Sequence, residues 1–407
     1  MIVSSPQITL KNGELIVSTV VKFDNPPLNK PDTVWFAFPE RFLPYISGRA
    51  DAFAAALLPL AMVLKEDLQI DGFLSPRLAC GLQEYQLALN FWFPKRLALV
   101  NICAPNLSSL PSEQVGQSCA SLFSGGVDSS FTIMSHLPDH QPIPDFQVKY
   151  AIFVHGFDIP LQNRSEYEEI LQLFSEQLAP LGVQVISCRT NLQYFTSGLL
   201  DWGTAHGTAI VSVGLVLDKL IRYFLVPSSF SMDGLMPWGS SPMIDHWLST
   251  ESFHVIHDGV PFVRTEKAAA ISNWQPAQHC LRVCIDENKR SGVNNCCRCD
   301  KCLRTMVALE ICGSLKSFGT FQQPFGRWDV LRWVPHYDSN WLPQTLQFVR
   351  SNGKTEYILP LWIAFLQGKL RLWLRKMIPG PLFNYLKKKK FPYRSNPFNP
   401  ANLDLNP

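Results

Sequence analysis

Cys119-Ala120-Ser121-Leu122-Phe123-Ser124-Gly125-Gly126-Val127-Asp128-Ser129 is the stretch that decides how this chain folds. The mostly apolar run from Cys119 to Phe123 reads as a buried strand. A glycine pair follows at once, and a helical pattern begins after Asp128. Gly125 and Gly126 let the backbone turn tightly and approach an anion with no Cβ in the way. The hydroxyls of Ser124 and Ser129 add donors, and the helix start offers unpaired N–H groups at a positive dipole end. Such a loop, Val127 and Asp128 included, holds phosphate or pyrophosphate. It has neither the Gly-Lys-Ser/Thr ending of a Walker loop nor the spacing of a dinucleotide fingerprint. The plainer reading is a Gly-Gly turn with Asp128 or Ser129 as a simple helix cap.

Working outward, residues 116–312 alternate short β-rich runs with longer helical patterns. CASLF (119–123), VKYAIFVH (148–155), VQVISC (183–188) and RYFLVP (222–227) are the expected strands. Helices are expected after Asp128, over Glu166 to Leu181 and over Gly207 to Leu220. Strict alternation implies βαβ units, hence an α/β fold with a doubly wound parallel sheet. Residues 1–115 read as a separate α+β unit: a hairpin around Asn12-Gly13, a strand TVWFAF, a long helix from Arg49 to Glu66 and a strand LALVNICA. No chemical constellation stands out there. Residues 313–407 form an aromatic, then basic, helical extension.

Of 407 residues, 46% are hydrophobic and 17% charged, so the chain can bury sizeable cores and global disorder is excluded. The balance of 36 basic and 33 acidic residues gives no support for a whole-protein nucleic-acid binder. The start lacks a basic segment followed by an apolar run, and no stretch reaches the roughly eighteen apolar residues of a membrane span. A cytoplasmic protein with no transmembrane segment is expected.

Six of the eleven cysteines lie between Cys280 and Cys302. Cys296, Cys299 and Cys302 form C-x2-C-x2-C, and Cys284 precedes them. Four thiolates in a turn-rich segment suggest a closed tetrahedral zinc site, structural because no position is open to water. Cys280 rivals Cys284 as the first ligand, and Cys297 is a spare. An iron–sulfur cluster uses the same ligands and stays open as an alternative.

With these two motifs together, Ser124-Gly125-Gly126-Val127-Asp128-Ser129 resembles the signature of the PP-loop ATP pyrophosphatases. The late cysteine motif followed by Arg304 makes residues 116–312 similar to 7-cyano-7-deazaguanine synthases. The resemblance implies ATP with Mg²⁺ on Ser124, Gly125, Gly126, Val127, Asp128 and Ser129, and Zn²⁺ on Cys284, Cys296, Cys299 and Cys302. It implies cleavage of ATP between the α and β phosphates, adenylation of a carboxylate on a small-molecule or protein acceptor, and displacement of AMP by ammonia or an amine. The chain departs from the synthases at Cys297, where a glycine is usual, at Val154 to Asp158, and at Pro237 to Pro242. These are substrate-side positions, so the nucleotide chemistry carries over and the deazaguanine substrate does not.

Other candidates lie where loops follow strands. His155, Gly156 and Asp158 approach the nucleotide in such a fold, and His206 and Gly207 begin a helix where a ligand can come close. Trp238-Gly239-Ser240-Ser241, with Asp245 and His246 after it, is a candidate substrate wall. Arg264 and Lys267, one turn apart, can both point at a triphosphate. Each has a plainer reading as a cap, a packed residue or a solvated face. The basic stretch from Lys369 to Arg394, with Lys387 to Lys390 inside it, is a candidate contact for RNA, an anionic membrane or an acidic partner protein. A homodimer stays open. Two alternatives to the synthase-like enzyme remain: an ATP-activated, tRNA-modifying enzyme, thiolation included, and a nucleotide-binding sensor or scaffold without turnover.

Overall fold

The structure is a computed structural model, and it describes residues 1–26, 31–284, 292–332 and 341–377. Lys387 to Lys390 and the rest of the tail lie outside the described residues.

Eleven strands form one mixed sheet. They are β1 (Ile2–Val3), β2 (Gln7–Lys11), β3 (Glu14–Lys22), β4 (Thr33–Pro39), β5 (Leu68–Ile70), β6 (Ile102–Cys103), β7 (Ser118–Leu122), β8 (Val148–His155), β9 (Gln184–Thr190), β10 (Ile221–Pro227) and β11 (His254–Asp258). The helices used below are α1 (Asp51–Leu64), α2 (Pro76–Trp92), α3 (Val127–Ser135), α4 (Arg164–Leu178), α5 (Leu192–Thr196), α6 (Trp202–Val216), α7 (Arg264–Ala270), α8 (Gln275–Cys280), α9 (Asp300–Ile311), α10 (Trp341–Ser351) and α11 (Ile358–Met377). The strand order is β11-β10-β7-β8-β9-β4-β3-β1-β5-β6, with β2 paired to β3. From β11 to β9 all neighbours are parallel. From β9 through β4 and β3 to β1 they are antiparallel.

The parallel strands are buried on both faces. Ile152, Val154, Phe224 and Val226 belong to the core that also holds α1 and α6. Their alternate neighbours Ala151, Phe153 and Leu225 belong to a second core with α4. Alternation along a strand sends side chains to opposite faces, so both faces need apolar cover. The fold is therefore α/β, with helices on both sides of a mixed sheet. The expected strands at 119–123, 148–155, 183–188 and 222–227 fall on β7, β8, β9 and β10.

Residues 1–115 share this sheet and this core with the residues that follow. The seam is narrow: β4 meets β9 at Phe36↔Thr190 and Ala37↔Arg189. Side chains extend it. Asn191 Oδ1 accepts from the Trp35 N–H at 3.0 Å, its Nδ2 donates to Thr33 O at 2.8 Å, and Thr190 Oγ1 donates to Trp35 O at 2.7 Å. Arg189 Nη1 reaches both Glu14 oxygens, at 2.6 and 2.8 Å. The hairpin predicted around Asn12-Gly13 joins β2 and β3, with positive φ at both turn residues (53° and 77°). At the other end, α10 and α11 pack with α9 in a further core around Leu303, Val307 and Leu361.

Candidate functional site

Parallel strands place every following loop on the same sheet edge. Ser124 to Ser129 form that loop between β7 and α3. Gly125 has φ +73°, a left-handed value that favours glycine. A Cβ there would meet Phe174 Cζ at 2.5 Å and the Cys280 carbonyl at 3.1 Å. Glycine is thus required by conformation and by space. Its carbonyl accepts from the Arg282 N–H at 2.8 Å, which fixes the turn from outside. Ser124 Oγ accepts from the Gly126 N–H at 3.3 Å and lies 3.4 Å from Ser129 Oγ, which donates to Gly126 O at 3.2 Å. The Val127 side chain is in the core, so only its backbone can meet a ligand.

Asp128 stands in the first turn of α3. Arg264 Nη1 pairs with its Oδ2, and Lys267 Nζ lies 3.7 Å from its Oδ1. Arg264 opens α7 and Lys267 comes one turn later, so both reach α3. Lys267 is only 2% exposed and donates to Ser228 O, just past β10, at 2.6 Å. Burial alone would raise the Asp128 carboxyl. Arg264, Lys267 and Arg304 outweigh it and hold the pKa below the usual carboxylate range. The cations carry the opposite imprint. Burial first, and then Arg264, lower Lys267 against the pull of Asp128. Burial and then Arg264 likewise lower the Arg304 guanidinium. Asp258, the other carboxylate acting on Lys267, is already engaged by Thr132 Oγ1 at 2.6 Å and His136 Nε2 at 2.9 Å. Asp128 Oδ1 and Arg264 Nε are buried without a hydrogen-bond partner among the described residues. Arg264 and Lys267 thus converge on Asp128 at the start of α3.

The remaining sequence candidates lie in different surroundings. His155 ends β8, stacks on Tyr167 at 4.4 Å and touches Pro160 O through Nε2 at 2.9 Å. Burial pushes its pKa down to about 4, so it is a neutral, packed imidazole. Gly156 has φ +109°, and a Cβ there would lie 2.0 Å from Thr190 O. Asp158 is exposed, with an oxygen 4.0 Å from Arg282 Nη1. His206 and Gly207 lie inside α6, which starts at Trp202 because Asp201 Oδ1 caps the Thr204 N–H at 3.1 Å. The close approach at Gly207 is to protein: a Cβ would strike Gly239 O at 1.8 Å. His206 lies between Trp202 and Trp238, at 6.1 and 5.5 Å between ring centres. Asp245, fully buried, accepts from Ser240 Oγ and binds His257 Nδ1, each at 2.7 Å. Sequence reasoning singled out neither Arg282 nor His257; neither belongs to a motif, and only the fold gives them partners.

Cys284, Cys296, Cys299 and Cys302 bring their sulfurs within 4.8 Å of one another. Three of the sulfur pairs are 3.4, 3.8 and 3.9 Å apart. Zinc–sulfur bonds of about 2.3 Å give a tetrahedral edge of about 3.8 Å, so the four-cysteine set fits zinc. A multi-iron cluster divides the thiolates among its irons and spreads the set wider. Cys280 is excluded: it is buried in the core under α4, and burial pushes its thiol up to about 12. Cys297 turns away with φ 56°, its Sγ on Asn295 O at 3.4 Å. Asn295 braces the site, accepting from the Val283 and Cys284 N–H groups at 2.8 and 3.0 Å. The centre touches the loop from two sides. Arg282, two residues before Cys284, holds Gly125, and α9, which starts next to Cys299, carries both Cys302 and Arg304.

No family model, curated protein or solved structure matches this chain.

Proposed function

We propose that the chain is an ATP-dependent, AMP- and pyrophosphate-forming enzyme of the PP-loop kind, similar to the 7-cyano-7-deazaguanine synthases. In this reading it activates a carboxylate for displacement by ammonia or an amine. The observation that carries it is the convergence of Arg264 and Lys267 on Asp128, in the first helical turn after the glycine loop.

The phosphates of ATP would rest on the N–H groups of Gly125 to Ser129 at the start of α3. Arg264 would exchange Asp128 for a phosphate oxygen. Asp128, a hard oxygen donor, would then hold Mg²⁺, which shields phosphate charge when bound. A carboxylate oxygen of the acceptor attacks the α-phosphorus, and the bond to the β-phosphate oxygen breaks. The electron pair leaves with pyrophosphate, whose charge Lys267 and Arg304 stabilise. The amine then attacks the acyl carbon, and AMP departs with the oxygen. The four cysteines would hold zinc away from these steps, and Arg282 and α9 would tie that centre to the loop.

The test is AMP and pyrophosphate release from ATP with 7-carboxy-7-deazaguanine plus ammonia, beside a panel of other carboxylates. Asp128→Ala should lower AMP formation by about 100-fold or more, with its melting transition retained. Full activity in that variant would defeat the assignment of the loop. ADP as the product would defeat the adenylation chemistry. Tight ATP binding without turnover would favour a sensor, and turnover only with tRNA would favour the modifying enzyme.

A further inference from the structure

The helix α11 buries one face and leaves the opposite one bare. Tyr357 just before it, and Leu361 and Ala364 within it, pack into the core shared with α9 and α10. On the other side Leu359, Trp362, Leu366, Leu370 and Trp373 are 41–61% exposed. Their spacing puts them on one line, an arc of about 80° and about 21 Å long at 1.5 Å per residue. Apolar stripes of this kind mark contact surfaces.

Charge indicates what covers the stripe. From Lys369 to Arg394 the sequence holds nine Lys or Arg and no acid, and no acid occurs anywhere between Tyr357 and Leu403. Lys369 lies beside the stripe, its amine 5.3 Å from the Phe365 ring centre. A second copy of the chain would set a sequence with no acid from Tyr357 to Leu403 against the same basic sequence. RNA would use the charges and leave Trp362 and Leu366 bare. An anionic lipid surface uses both, since tryptophans and leucines enter the acyl boundary while basic residues meet headgroup phosphates. No helix among the described residues is long and apolar enough to cross a membrane. α11 in particular cannot enter lipid all round, because its other face is committed to the core.

We propose that α11 lies in the plane of an anionic lipid surface, with its apolar stripe inserted and Lys369 at the headgroups. The probe is co-sedimentation of the full chain with phosphatidylcholine vesicles carrying about a third phosphatidylserine, against phosphatidylcholine alone. The wild type should bind the anionic vesicles at least about tenfold more strongly and lose much of this as salt rises from about 0.1 to about 0.5 M. A Trp362→Gln, Leu366→Gln double variant, at solvent-facing positions, should lose about tenfold in binding with its melting temperature unchanged. If it does not fold, the Lys387→Gln, Lys388→Gln, Lys389→Gln, Lys390→Gln variant serves in its place and should show a comparable loss. No preference of the wild type for anionic vesicles would overturn the proposal, as would full binding by the variants. A wild-type dimer that the double variant makes monomeric would assign the stripe to a second copy. RNA binding without vesicle binding would assign the charges to nucleic acid.

Discussion

The strands from β7 to β11 and those from β1 to β6 belong to one sheet, yet it is the first block whose loops bring Asp128, Arg264 and Lys267 together. In the first block every strand runs the same way, so the loops after β7, β10 and β11 gather together. That convergence brings Asp128, Ser228 and Lys267 within reach, though they lie far apart in the chain. In the second block β3 runs antiparallel to β4, β1 and β2, which sends successive loops to opposite ends. Its main helix, α1, is buried along almost its whole length. Parallel order gathers ion pairs on one edge, whereas mixed order here gathers apolar mass.

The strongest challenge to that contrast is Cys296→Ser. Zinc content should fall from one per chain to about a tenth or less, and ATP binding should weaken by about tenfold, because α9 and Arg282 lose their common anchor. Metal analysis with calorimetric ATP titration reads both. Unchanged nucleotide affinity in a zinc-free variant would show that the loop stands without its brace. Leu57→Ala probes the other block. Leu57 is fully buried in α1, and its truncation should cost about 2–5 kcal/mol. AMP formation per folded molecule should stay within about twofold. A loss of activity comparable to that of Asp128→Ala would mean that the apolar block shapes the site.

The smallest effect lies near the junction of the blocks, at Asp218. Burial pushes its carboxyl up to about 7, helped by Asp51 and opposed by Ser47 and Arg49. The folded state therefore keeps a proton that the unfolded chain has lost, and stability falls as pH rises from about 4 through about 7. Asp218→Asn cannot ionise. Its melting advantage over the wild type should grow between about pH 5 and about pH 8, by about 1–2 kcal/mol. A gap that does not change with pH would remove Asp218 from the pH response of the fold.

The legible parts were those in which local pattern and final role coincide. The apolar runs at β8 and β10 and the glycine turn after β7 need no partner to be recognised. β11 escaped because His254, His257 and Asp258 occupy three of its five positions and break the apolar run. The early start of α6 escaped although its signal, Asp201 three residues before Thr204, was in the sequence. Missing it placed His206 and Gly207 at a helix entrance rather than inside the helix. Spacing could not choose between Cys280 and Cys284; sulfur distances do. The shared sheet had one sign that went unread. Val34 to Phe38 is apolar without alternation, as a strand covered on both faces must be.

The seam between β4 and β9 bears on motion. Only two residue pairs of backbone ladder cross it, so few main-chain bonds hold the two panels edge to edge. Asn191 and Thr190 supply amide and hydroxyl groups in place of further ladder, all directed at Thr33 and Trp35. Parting the panels must strip these groups together and uncover the fully packed Trp35 ring. Such a joint opens all at once or stays shut. Parting the panels therefore costs the ladder, these side-chain bonds and the shared core together.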